Sequence, residues 1–294
     1  MASNEHRRKA IKNLLAGTAA LSSAGILTSF DSGEKLYNQV LKGNINHSVC
    51  RWCFSQFSVE ELCIAAKEIG LKAIDLVGPK DWPVLQKYGL ESSMCNGAEI
   101  NLENGFNDKQ YHATLLKKYS EMIPLVAKAG YKNLICFSGN RAGKDDETGL
   151  SNSTEGLKQL MTLAEKNNVT LVMELLNSKI DHKDYQCDKT PWGVELVKRV
   201  GSENFKLLYD IYHMQIDEGD VIRTIKENHK SIAHYHTAGV PGRHELDETQ
   251  ELNYPAIMNA ILATGFKGYV AQEFIPVKSD KLASLRQAVA LCDV

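Results

Sequence analysis

The stretch VTLVMELLN, residues 169 to 177, is nearly all apolar and β-favouring until Glu174. Such a run reads as a strand buried on both faces. A buried carboxylate without a partner costs several kcal/mol, so Glu174 must either neutralise or find a cation. The arrangement recurs. KLLYDIYH reaches Asp210 after its apolar run, IAHYHTA reaches His236, and YVAQEFI reaches Glu273.

From residue 45 onward, short β-favouring runs alternate with helical segments. The runs are NHSVCRW, KAIDLV, ESSMCNGA, NLICFSG, TLVMELLN, KLLYDIYH, IAHYHTA and YVAQEFI, eight in all. Helix starts between them carry identifiable signals. Ser58 with Glu61 forms a capping box, and Thr190 before Pro191 reads as an N-cap with proline at the first helical position. Asn253-Tyr254-Pro255 opens another helix in a similar way. Helix ends are as regular: Gly70, Gly130, Gly201 and Gly265 each precede a strand by a few residues, the αβ turn of a repeated βα unit. Eight units in roughly 250 residues match the size of a (β/α)8 barrel. A doubly wound open sheet would show a Gly-rich phosphate turn after its first strand, and SVCRWCFSQFS has no glycine. The expected fold is α/β: a single (β/α)8 TIM barrel over residues 45–294, behind an N-terminal signal-like extension.

The chain has 294 residues, 43% hydrophobic and 24% charged, with a formal net charge of -2. That composition excludes a disordered or membrane-embedded protein, and without a basic stripe it argues against nucleic acid as a partner. Seven cysteines (50, 53, 63, 95, 136, 187 and 292) stand mostly inside apolar runs and read as small core residues. Cys50 and Cys53 form a C-x-x-C, but no second pair stands at zinc-ligand spacing. Residues 1–30 differ from the rest: Arg7-Arg8 opens a stretch of small and apolar residues with no acid until Asp31. This pattern is that of a twin-arginine export signal, too weakly hydrophobic for a stable membrane span. The competing reading is a basic amphipathic helix. Export places the protein in the periplasm; without a working signal it stays cytoplasmic. Residues 31–44 read as a polar linker.

The active site of a (β/α)8 barrel lies at the C-terminal ends of its strands. Those ends supply Glu174, Asp210, His236 and Glu273, from four consecutive strands. Barrel closure would converge them. Three carboxylates and one imidazole make a hard, open donor set suited to Mn²⁺, Mg²⁺ or Co²⁺, with Zn²⁺ less favoured. Singly, each has a plainer explanation. A buried Glu174 or Asp210 can cap a helix or pair with an arginine, and a lone strand histidine is more often a satisfied core residue. His234 has the same strand parity as His236, so alternation does not choose between them. Their joint recurrence is what favours a site.

The segments MELLN around Glu174, YDIYHMQIDEGD from Tyr209, HYHTAGVPGRHE from His234, ELNYPAIMNAI from Glu251 and GYVAQEF around Glu273 are similar to the xylose-isomerase-like barrel superfamily of sugar isomerases and epimerases. Within it they most resemble the hydroxypyruvate isomerase family. The resemblance spans residues 46 to the C-terminus and is strongest in the second half. It implies that Glu174, Asp210, His236 and Glu273 hold a divalent metal, Mn²⁺ or Mg²⁺ first among them, and that Glu174 and Glu273 are also the acid/base pair. It selects His236 over His234. It makes His213 a hydrogen-bond donor to substrate, and Arg243 the anchor of a carboxylate or terminal hydroxyl, with His244 and Glu245 shaping the same loop.

One position departs from the pattern. Ketohexose 3-epimerases carry a second substrate-binding glutamate six residues after the strand-five ligand, and here that residue is Ile180. His182 and Tyr185 then become candidates for different substrate contacts. The resemblance implies a metal-dependent isomerase or epimerase of a small hydroxy-ketone or keto-sugar. The same scaffold could house a lyase, such as a keto-inositol dehydratase or a 3-keto-glycoside-cleaving enzyme. An endonuclease-IV-like phosphodiesterase would need more metal histidines than the nine present allow at strand ends, and a basic groove. A sugar-binding module that had lost activity would have little reason to keep both glutamates. Oligomeric state stays open, a homo-oligomer included.

Overall fold

A computed structural model of the chain describes residues 40–294. The twin-arginine-like segment and most of the expected linker lie outside the described residues. Strands β1 (Asn46–Cys50), β2 (Ala73–Val77), β3 (Glu91–Cys95), β4 (Asn133–Cys136), β5 (Thr170–Glu174), β6 (Phe205–Asp210), β7 (Ile232–Thr237) and β8 (Tyr269–Gln272) form one closed barrel in chain order. All eight neighbouring pairs are parallel, and β8 returns to β1 with Asn46 opposite Tyr269. The expected (β/α)8 barrel is the observed one.

The helices between the strands begin and end where local chemistry dictates. At the start of α1 (Val59–Ile69), Ser58 Oγ accepts from the Glu61 N–H at 3.2 Å, and the Glu61 carboxylate accepts from the Ser58 N–H at 2.7 Å. Gly70, Gly130, Gly201 and Gly265 all adopt φ between 71° and 91°, the left-handed geometry that closes a helix without a Cβ clash. Thr190 differs from expectation. It is the first helical residue rather than the cap, and its hydroxyl donates to Glu218 Oε2 instead of accepting from its own helix. Proline two residues into the turn still suits the start, because its missing N–H would have had no partner there.

The linker boundary also shifts. The Lys42 N–H donates to Asp293 Oδ2 at 2.7 Å, the Asn44 amide donates to the Val294 carbonyl at 2.9 Å, and Leu41 packs against the core. Residues 41–44 therefore belong to the barrel's N-terminal end; these backbone anchors are long-range and leave no local trace. The seven cysteines are free and buried. Burial pushes the Cys50 thiol well above its ordinary range and raises that of Cys53, so the C-x-x-C has none of the thiolate character that redox chemistry needs. No described helix is long and apolar enough to cross a membrane.

Candidate active site

Glu174 ends β5, Asp210 ends β6, His236 stands near the end of β7, and Glu273 directly follows β8. Register brings them together: Asp210 lies opposite His236, and Thr237 opposite Gln272, so Glu273 emerges one residue further along the same mouth. Ligand atoms from all four side chains lie within 4.8 Å of one another, and all four residues are buried. His236 Nδ1 is 2.9 Å from Glu273 Oε2 and 3.3 Å from Glu174 Oε1.

Asp210 shows how the structural and the chemical readings coexist. Its Oδ1 accepts from the N–H groups of Tyr212 at 2.8 Å and His213 at 3.3 Å, capping the helix Ile211–Asp217. Its Oδ2 is buried with no hydrogen-bond partner. One oxygen starts a helix and the other makes no hydrogen bond. An unpartnered carboxylate oxygen among two more carboxylates and an imidazole nitrogen fits a divalent ion, so these residues would hold one.

Arg243 supplies the positive charge nearby. Its Nη2 is 2.5 Å from Glu273 Oε2 and 3.6 Å from Asp210 Oδ2, and its guanidinium sits between the rings of Trp52 and Tyr212, 5.2 and 5.3 Å from their centroids. The loop that delivers it folds back tightly. Gly239 N–H donates to the His244 carbonyl and the Arg243 N–H donates to the Gly239 carbonyl, both at 2.9 Å. A Cβ on Gly239 would lie 2.5 Å from the Glu245 carbonyl oxygen, so only glycine permits this approach. Arg243 itself takes φ of 60°. Glu245 fastens the loop to the next segment by accepting from the N–H groups of Val277 and Lys278 and from the Ser284 hydroxyl.

The charges in this space push the carboxyls apart. Burial raises the Asp210 carboxyl to about 8 and raises that of Glu174. Burial works the same way on Glu273, but His236 and Arg243 overcome it and hold that carboxyl well below its usual range. Burial disfavours charge on His236, yet Glu273 and Asp75 raise it well above an ordinary imidazole. Burial therefore favours protons on Asp210 and Glu174. Loading the chelated protein with Mn²⁺ is expected to release at least one proton, and affinity is expected to fall about tenfold per pH unit for each proton displaced as pH drops. Calorimetry in buffers of different ionisation enthalpy counts the protons; affinity constant between about pH 6 and 8 would contradict the assignment of ligands.

The family profile described as xylose isomerase-like TIM barrel matches residues 64–291. The chain belongs to that family. A 2-oxo-tetronate isomerase from Cupriavidus necator is 36% identical to this xylose isomerase-like barrel over 122 residues, 42% of this chain and 46% of that protein. The hydroxypyruvate isomerase of Escherichia coli is 30% identical over 222 residues, covering 72% of this chain and 85% of that enzyme. Among solved structures, a family 2 AP endonuclease from Brucella melitensis superposes with a TM-score of 0.72 at 22% identity, covering 84% of this chain and 97% of that one. That likeness shows the barrel and says nothing of the reaction.

The other residues expected at the site of this xylose isomerase-like barrel separate into groups. His213 Nδ1 accepts from the Asn177 amide at 2.6 Å, which leaves the ring proton on Nε2, 3.5 Å from Asp210 Oδ2 and without a hydrogen-bond partner. Burial and then Arg243 lower its pKa well below the ordinary imidazole range, so the ring is neutral with an unpaired N–H. His182 stacks edge-on to His213 at 5.2 Å, and burial followed by Arg243 lowers its pKa too. Tyr185 turns its hydroxyl to the backbone. Fully buried, its hydroxyl donates to the Glu174 carbonyl at 3.0 Å and accepts from the Ser138 N–H at 3.1 Å. It braces the strand end that carries Glu174. Ile180 is 64% exposed and replaces no buried contact.

Two residues at the mouth carry no mark in the sequence reading. Trp52 Nε1 donates to Glu273 Oε1 at 2.8 Å from the turn after β1. Asn177 folds the loop after β5, its Oδ1 accepting from the N–H groups of Ile180 and Asp181 while its amide orients His213. Both lie just past strand ends, which is the signal that could have marked them.

Proposed function

We propose that the protein is a metal-dependent isomerase or epimerase of a small hydroxy-ketone or keto-sugar, with Glu174 and Glu273 moving a proton between neighbouring carbons through an enediolate. A carbon acid beside a carbonyl is too weak to ionise unless the enolate oxygen is stabilised. A divalent ion, Mn²⁺ or Mg²⁺ for this hard donor set, supplies Lewis-acid stabilisation of that oxygen when bound. The observation that carries the reading is the placement of Glu174 and Glu273. Glu174 ends β5 and Glu273 directly follows β8, so they flank β6 and β7, and both reach His236 Nδ1 within 3.3 Å. Two carboxylates placed on either side of one site are what a paired acid and base require.

The named substrates of the two relatives, hydroxypyruvate and 2-oxo-tetronate, both carry a carboxylate beside the ketone. Arg243, with its guanidinium already against Glu273 and Asp210, suits such a group. His213 Nε2–H and His182 then serve substrate oxygens. A deuterium experiment tests the reaction class. Candidate ketoses, keto-glycosides and hydroxypyruvate are incubated with the Mn²⁺-loaded protein in D₂O. Deuterium incorporated into an intact carbon chain supports isomerisation or epimerisation, whereas loss of water or an aglycone assigns the site to a lyase. Neither outcome with any substrate sinks both.

Export by the twin-arginine route is part of the same reading, supported by Arg7-Arg8 and the weakly apolar stretch behind them. Replacing both arginines by lysine is expected to leave the protein in the cytoplasm, scored by cell fractionation. Unchanged distribution would make the segment an ordinary basic helix.

A further inference from the structure

Asp75 is a fully buried carboxylate in the middle of β2, with apolar residues on either side. Two imidazoles from β7 converge on it. His234 Nε2 lies 3.0 Å from Oδ1 and 3.1 Å from Oδ2, and His236 Nε2 lies 3.4 Å from Oδ2. All three side chains are wholly shielded from solvent. His236 is therefore engaged at both ring nitrogens, with Nδ1 toward Glu273 and Glu174 and Nε2 toward Asp75. An imidazole that offers Nδ1 to a cation must carry its proton on Nε2, and a buried N–H needs an acceptor. His234 stands two residues earlier on the strand, one layer deeper in the barrel, with Nδ1 unpartnered. Its Nε2–H is thus the donor that holds the same carboxylate from the other side.

We propose that Asp75 is a positioning residue of the cation site, locking His236 in the tautomer and ring orientation that present Nδ1 to the ion, while His234 holds Asp75 in place. The inference rests on the cation-site reading above. The same three groups come close enough to bind an ion themselves. That alternative would strip the Nε2 proton from both imidazoles and make His236 a bridge between two cations; the hydrogen-bonded arrangement requires neither.

The test is Mn²⁺ binding by calorimetry on the chelated full-length protein, with D75N, H236Q and the double variant, each checked for folding by its melting curve. Glutamine at 236 keeps an oxygen donor but has no tautomer to fix. The wild type is expected to bind one equivalent, and D75N to weaken binding by about 10–100-fold. In the H236Q background, adding D75N is expected to change affinity by no more than about twofold. A wild type that binds no ion overturns the cation site itself. Binding that survives D75N, or an equal loss in both backgrounds, overturns this role for Asp75 alone. Two equivalents falling to one in D75N would assign the buried triad to a second ion. Should D75N fail to fold, H234Q enters the same cycle, with a smaller loss expected that again depends on His236.

Discussion

Glu273→Gln is expected to lower turnover by about 10²–10⁴-fold, the range lost when a positioned acid or base is removed. Glutamine retains an oxygen for a cation but is not basic, so metal content measured on the same preparation separates the two duties. Turnover lost with the ion retained supports the base; ion lost as well leaves Glu273 a ligand and no more. Glu174→Gln is expected to produce a loss of similar size. In D₂O, the variant lacking the group that takes the first proton should no longer exchange the substrate C–H, whereas the variant lacking the group that returns it should still permit exchange without product. Full activity in either variant would remove the acid/base pair altogether.

Arg243→Met is expected to reduce kcat/KM on a carboxylated hydroxy-ketone by about 10–150-fold, the equivalent of about 1.5–3 kcal/mol for a hydrogen bond to a charged group. The loss should fall mainly on KM, because a carboxylate anchor contacts ground state and transition state alike. An uncharged ketose should lose far less. Arg243→Lys should recover only part of the difference, since an ammonium cannot reproduce the planar fork set between Trp52 and Tyr212. Steady-state kinetics on the two substrate classes decides the matter. Equal losses on both would mean that Arg243 acts through Glu273, 2.5 Å away, and the carboxylated-substrate reading would fail.

Much of the barrel was legible because its signals are local. Capping at Ser58, glycines at helix ends and apolar runs of strand length each need only a few neighbouring residues, and repetition supplied the topology. Thr190 shows the limit. Its cap signal was sound, yet a carboxylate 28 residues away captured the hydroxyl. The site divides in the same way. Glu174, Asp210 and Glu273 stand out as carboxyls ending apolar strands, and the structure gathers them. Tyr185 was a polar group in the right loop, but its hydroxyl is consumed by backbone partners in the structure.

By itself the sequence determined the eightfold alternation of strand and helix, and the residue types that end four neighbouring strands. Those are properties of short segments, set by apolar periodicity and backbone geometry. Only the tertiary structure decided which oxygen of Asp210 is left over, and that Trp52 and Asp75 support the cluster. The partners in these contacts lie 221 residues apart for Trp52 with Glu273 and 161 for Asp75 with His236. Closing the ring between β8 and β1 brings Trp52 to Glu273, and the closed barrel's interior brings Asp75 to His236; until then neither polar group has a partner to find.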